Sequence, residues 1–181
     1  MINLKNKSIV VTGGTKGIGV EITKSFLKQN SRVFVLARQK PKRIIQAKGN
    51  KAIFIECDIR KIESLDNAVK EIKTSSKSID VLINNVGGAP MADALNVSNK
   101  FHEAVIDLNL IAPLNVSQKF AKIIENIKLH NKDNFLISDN YYSYGFGKRK
   151  KRKSICFYGT SKKGIKIVNT DLILSNIIAW K

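Results

Sequence analysis

The sequence predicts an α/β fold in which a parallel sheet is wound with helices on both faces. Two observations carry that reading. Short β-branched runs alternate with segments of helical spacing, and the runs are apolar at consecutive positions, as strands buried on both faces are. A glycine-rich turn also follows the first run directly and opens the first helical segment. In order, Ser8 to Val11 reads as the first strand, and Ile18, Ile22 and Phe26 as the stripe of the first helix. Arg32 to Leu36 and Ala52 to Ile55 read as the second and third strands. Ile62, Leu65, Val69 and Ile72 mark the next helix, and Val81 to Ile83 the fourth strand. Val105, Leu108, Ala112, Val116, Phe120, Ile124 and Ile127 mark a long helix, and Phe135 to Ile137 a fifth strand. A last helix is expected from about Phe157 to Trp180, carrying Ile165, Val168 and Leu172.

The length of 181 residues, with 43% hydrophobic and 25% charged, fits one domain over residues 1–181 with a sizeable core. Cys57 and Cys156 rule out a disulfide scaffold and suit a reducing compartment; with only His102 and His130 to join them, no metal site is expected. No run approaches the ~18 apolar residues of a membrane span, and the N-terminus lacks a signal-peptide core, so a cytoplasmic protein with no membrane partner is expected. The net charge of +18 would draw polyanions. Its diffuse part is mostly lysine, which argues against nucleic-acid recognition, where arginine forks serve best. The contiguous run Lys148 to Lys153 (KRKKRK) lies in a basic loop insertion around 140–154, and a solvated loop is its simplest account.

Thr12-Gly13-Gly14-Thr15-Lys16-Gly17-Ile18-Gly19 stands between the first strand and the first helix. Glycines there allow a tight turn and bring backbone N–H groups and a helix N-terminus against a pyrophosphate. Cys57-Asp58-Ile59 follows the third strand, Asn84-Asn85-Val86-Gly87 the fourth, Asn109 sits in the long helix, and Tyr158-Gly159-Thr160-Ser161-Lys162 comes after the fifth strand. Five such landmarks in register resemble the short-chain dehydrogenase/reductase family. The resemblance implies a Rossmann-type doubly wound parallel sheet of about five strands and a bound nicotinamide dinucleotide. It assigns Gly13, Thr15, Lys16, Gly17, Ile18 and Gly19 to the phosphate turn, and Asp58 and Ile59 to the adenine ring. Asn85, Gly87, Tyr158 and Lys162 are also assigned to the cofactor.

An NAD site of this fold places an acid at the end of the second strand, but Ala37 and then Arg38 occupy that region here. With no carboxylate to repel a 2′-phosphate, and Arg38 and Lys16 able to pair with it, NADP(H) is expected in preference to NAD(H). Tyr158 and Lys162 are four apart on a predicted helix and share a face, so the ammonium would lower the phenol pKa. The resemblance makes Tyr158 the acid/base residue, Lys162 its ribose-binding partner and Asn109 a catalytic residue. Pro113, lacking an N–H, removes the ordinary helical partner of the Asn109 carbonyl and is expected to kink the helix.

Two departures from the family pattern stand out. The fifth strand ends Ile137-Ser138-Asp139, which puts Asp139 where the family has a serine that donates to the substrate oxygen. An ionised aspartate cannot donate. Ser138 is the catalytic candidate if the strand stops one residue early. After Lys162 the chain has room for one helix, so the family's last two strands and substrate loop are expected to be lacking. The expected function is NADP(H)-dependent hydride transfer to or from a small carbonyl or alcohol, with a homo-oligomer formed through the long helices. The alternative is an abbreviated, weakly active or inactive nucleotide-binding protein that binds polyanions through residues 148–153. Tyr141, Tyr142, Tyr144 and Phe146 could line a substrate cleft or pack down their own loop.

Overall fold

In the computed structural model, residues 3–90, 92, 96–125 and 137–139 are described. The basic loop insertion, the expected last helix and the Tyr158 and Lys162 pair lie outside the described residues. The elements are β1 (Ser8–Thr12), α1 (Gly17–Lys28), β2 (Arg32–Ala37), β3 (Gln46–Ala47), β4 (Asn50–Lys51) and β5 (Ile53–Glu56). There follow α2 (Ile62–Ser75), β6 (Val81–Asn84), α3 (Asn99–Ile106), a π-helical turn (Asp107–Ile111), α4 (Ala112–Glu125) and β7 (Ile137–Asp139). Among the described residues, five strands form one sheet in the order β5-β2-β1-β6-β7, and each of its pairings is parallel. The chain therefore winds outward from β1 to β5, then returns to the other side of β1. This is the expected doubly wound fold.

Alternation along the strands feeds two cores. Ile9 and Val11 of β1, Val33 and Val35 of β2, and Val81 and Ile83 of β6 meet Ile22, Phe26 and Leu27 of α1. Val10, Phe34, Leu36 and Leu82 point the other way, onto Leu65 and Ile72 of α2 and Val116 and Phe120 of α4. Each such side chain, once fully buried, contributes on the order of 1.5–3 kcal/mol as an upper bound. Of the expected stripes, Ile18, Ile62, Val105 and Leu108 belong to neither core. Ile18 is 45% exposed and faces the cleft described below, and Ile62, at the start of α2, is exposed to the same extent.

Two details were not expected. A small antiparallel hairpin pairs β3 with β4 through Lys48 and Gly49, both with positive φ, at 47° and 80°. Strands of two residues carry no periodicity for a sequence reading to detect. The long helix does not simply kink before Pro113. It widens by one residue into the π turn, where the Ala112 N–H donates to the Asp107 carbonyl, five residues back.

Candidate functional site

The site grows from the point where the strand order reverses, since β2 and β6 flank β1 and the chain leaves them in opposite directions. At the end of β1, the fully buried Thr12 is the anchor. Its Oγ1 accepts hydrogen bonds from the Asn85 N–H at 2.9 Å and the Val86 N–H at 3.1 Å, and donates to the Ile83 carbonyl at 3.4 Å. The Asn85 Nδ2 reaches back to the carbonyls of Thr12 and Gly13, at 3.0 and 3.2 Å. One threonine and one asparagine thus lace β1 to β6 where the chain turns.

The turn itself accepts only glycine at its two ends. Gly13 has a φ of +66°, and a Cβ there would lie 2.9 Å from Val86 Cγ2. A Cβ on Gly19 would press into the Gly13 carbonyl oxygen and lie 2.6 Å from Asn85 Nδ2. The buried Thr23 hydroxyl, which donates to the carbonyls of Gly14 and Gly19, holds the first turn of α1 against this loop. Among the described residues no side chain caps the N-terminus of α1, and its first turn holds no acid, which leaves its N–H groups and positive dipole end to an anion.

These elements open onto a cleft of about 450 Å3, within the range of small-molecule sites. Of the residues expected at the cofactor, Gly13, Thr15, Lys16, Ile18 and Gly19 line it from the turn, and Arg38, Asp58 and Ile59 from the ends of β2 and β5. Asn85 and Gly87 line it from beyond β6. Gly17 does not line it; it is exposed at the first position of α1. Ala37 confirms that β2 ends without an acid at the cleft, and among the described residues Lys16 and Arg38 are in no salt bridge.

Asp58 is less simple than its expected contact with adenine. Arg60 grips both of its carboxylate oxygens, Nη2 to Oδ2 at 2.7 Å and Nε to Oδ1 at 3.0 Å, and adds its backbone N–H to Oδ1 at 3.2 Å. The Arg60 hydrogen bond holds the carboxyl below the usual carboxylate range, against some desolvation. Cys57 is a free, buried cysteine. Burial pushes its thiol up, outweighing the hydrogen bond from Ser64. Thr12, Gln39, Arg60 and Leu108 belong to the site although the sequence reading passed over them.

Asn109 is 6% exposed and adjoins Leu108, which lines the cleft. Its Oδ1 accepts from the Gly88 N–H at 2.8 Å, while its Nδ2 donates to the carbonyls of Gly88 and Val105, at 2.9 and 2.8 Å. The side chain clamps the segment after β6 to the π turn. In β7, Ser138 stands opposite Ile83 and Asp139 opposite Asn84, so the strand continues through Asp139. Tyr158 and Lys162 lie outside the described residues.

A doubly wound sheet with a glycine turn, an uncapped helix N-terminus and a cleft at the switch point defines a nucleotide-binding α/β protein. Residues 7–137 match the short chain dehydrogenase family, and the chain belongs to it. It is 29% identical over 134 residues to an uncharacterized oxidoreductase of Saccharomyces cerevisiae, covering 74% of this chain and 42% of the relative. Its fold resembles a short chain dehydrogenase from Leptospira borgpetersenii with bound NAD+, with a TM-score of 0.66 and 22% identity over 75% of this chain and 51% of the other. It also resembles an L-sorbose reductase from Gluconobacter frateurii complexed with NADPH and L-sorbose, with a TM-score of 0.62 and 17% identity over 76% and 54% of the two chains. The chain spans about half the length of the curated relatives it matches. Among the described residues, no helix is long and apolar enough to cross a membrane.

Proposed function

We propose that the chain is an NADP(H)-preferring oxidoreductase that moves hydride between nicotinamide and a small carbonyl or alcohol substrate. One observation carries the cofactor choice: Lys16 and Arg38 border the cleft, in no salt bridge among the described residues, while β2 ends in Ala37. Two such cations favour a 2′-phosphate, and no acid at the strand end receives the 2′-hydroxyl that NAD would offer. The turn at Gly13 and the α1 N-terminus would hold the pyrophosphate, Ile59 and Asp58 the adenine side, and Asn85 and Gly87 the far end. When bound, the nicotinamide supplies the hydride. Tyr158 would give or take the proton at the substrate oxygen, with Lys162 lowering its pKa. Asn109 would fix the wall beside them. A cytoplasmic setting and a homo-oligomer through the long helices complete the reading.

The test is titration with NADPH and NADH, followed by nicotinamide fluorescence, together with turnover on a panel of carbonyls. At least tenfold tighter binding of NADPH is expected, with turnover lost in Tyr158→Phe and NADPH affinity retained. No binding of either dinucleotide at millimolar concentration overturns the reading. A second reading, dinucleotide binding without turnover, is favoured by the register that puts Asp139 level with Asn84 at the end of the sheet. Tight NADPH binding with no turnover, unimproved by Asp139→Ser, would select it.

A further inference from the structure

Ala37 leaves β2 without a carboxylate, yet the neighbouring strand brings one to the same cleft. Asp58 follows β5, its side chain is 17% exposed, and it lies close enough for the charge of Arg38 to act on it. Left to itself, that carboxylate would draw the Arg38 guanidinium and repel a phosphorylated ribose. Arg60 closes this route. Its guanidinium occupies Oδ2 at 2.7 Å and Oδ1 at 3.0 Å, and its own N–H also takes Oδ1, so both carboxylate oxygens are engaged by a single residue. The fork geometry matches the carboxylate in a way that a lysine could not. Asp107, on the π turn beside the cleft-lining Leu108, is the second acid whose charge reaches Arg60.

We propose that Arg60 is a specificity-determining residue: by closing Asp58 into an ion pair, it leaves Arg38 open to the 2′-phosphate of NADPH. The proposal rests on the reading of the cleft as a dinucleotide site. Arg60 is 37% exposed and supports no part of either core, so its replacement tests charge and not folding.

The experiment titrates the full chain, Arg60→Gln, and Arg60→Gln combined with Asp58→Asn, each with NADPH and with NADH. In Arg60→Gln, NADPH affinity is expected to fall about 5-fold, the scale of one partly exposed charge pair, with NADH affinity held within about 2-fold. In the double variant the carboxylate is neutral, and the ratio of NADPH to NADH affinity, in which any part Asp58 plays at the shared adenine cancels, is expected to return to within about 2-fold of that of the unmodified chain. Equal losses for both dinucleotides would overturn the proposal, because Arg60 would then serve the adenosine they share. A fall in that ratio that Asp58→Asn fails to restore would overturn it too, since Arg60 would then act on the phosphate itself. If the unmodified chain binds neither dinucleotide, the cofactor reading falls together with the inference. If it binds NADPH and only the rescue fails, the inference falls alone.

Discussion

The two banks of the cleft are built by opposite means. Along β1 and β6 the bank is packed and, apart from Lys16 at the exposed tip of the turn, neutral: Thr12 is fully buried, Asn85 is spent on backbone carbonyls, and glycines sit where no Cβ fits. Along β2 and β5 the bank is charged and open, with Arg38 and Arg60 exposed and Asp58 between β5 and α2. A neutral, buried network is costly to break and indifferent to which dinucleotide arrives. Charges on an open rim contribute little to stability but discriminate between ligands of different charge. The first bank therefore decides whether the site exists, and the second decides what it takes.

The largest effect is expected from Gly19→Ala, because its methyl group would meet the backbone oxygen of Gly13, which has no flexible side chain to move aside. The α1 N-terminus must shift away from the turn, at a cost of about 3 kcal/mol in stability. Both NADPH and NADH affinities should fall together by about 100-fold, the scale of a misplacement near 1 Å. Thermal unfolding and the two titrations check this. Unequal losses would break the claim that the neutral bank does not discriminate.

Thr12→Val comes next. Valine keeps the shape but leaves the N–H groups of Asn85 and Val86 without their acceptor, which should cost about 1–3 kcal/mol in a chemical denaturation measurement. Arg38→Asp probes the other bank. Folding stability should change by less than about 0.5 kcal/mol, as for exposed substitutions generally. The ratio of NADPH to NADH affinity should drop about 10-fold, and the drop should shrink as salt is raised. A destabilised Arg38→Asp with an unchanged ratio would reverse the assignment of roles to the two banks.

The same division explains what could be read in the sequence. The strands, the helices and the glycine turn were legible because their signals are local: β-branched runs, a 3.6-residue stripe, and glycines where a strand becomes a helix. Lys16 and Arg38 were legible for the same reason, being adjacent to those elements. The Thr12 and Asn85 lacing was not, since it joins residues 73 apart and each looks ordinary in its own neighbourhood. Pro113 marked the right place in the long helix, but the helix relieved the missing N–H by widening into a π turn, a choice that tertiary packing makes. Arg60 stands only two residues from Asp58, yet in a chain so rich in cations nothing local set it apart.

The smallest effect sharpens the comparison most. Because Arg60 holds the Asp58 carboxyl below its ordinary value near 4, folding favours the ionised form. A carboxyl depressed in the folded state contributes stability that is complete above about pH 4, its unfolded value, and that is lost as pH falls through the lowered folded value. The pair is partly exposed, so the contribution after solvent screening is about 0.5 kcal/mol. Asp58→Asn should therefore melt slightly below the unmodified chain at pH 7, and the two melting curves should converge as the pH is taken from about 4 toward 2. A gap that persists unchanged at the acid end would mean that Asp58 acts through packing, and the open bank would then carry structural weight that its exposure denies it.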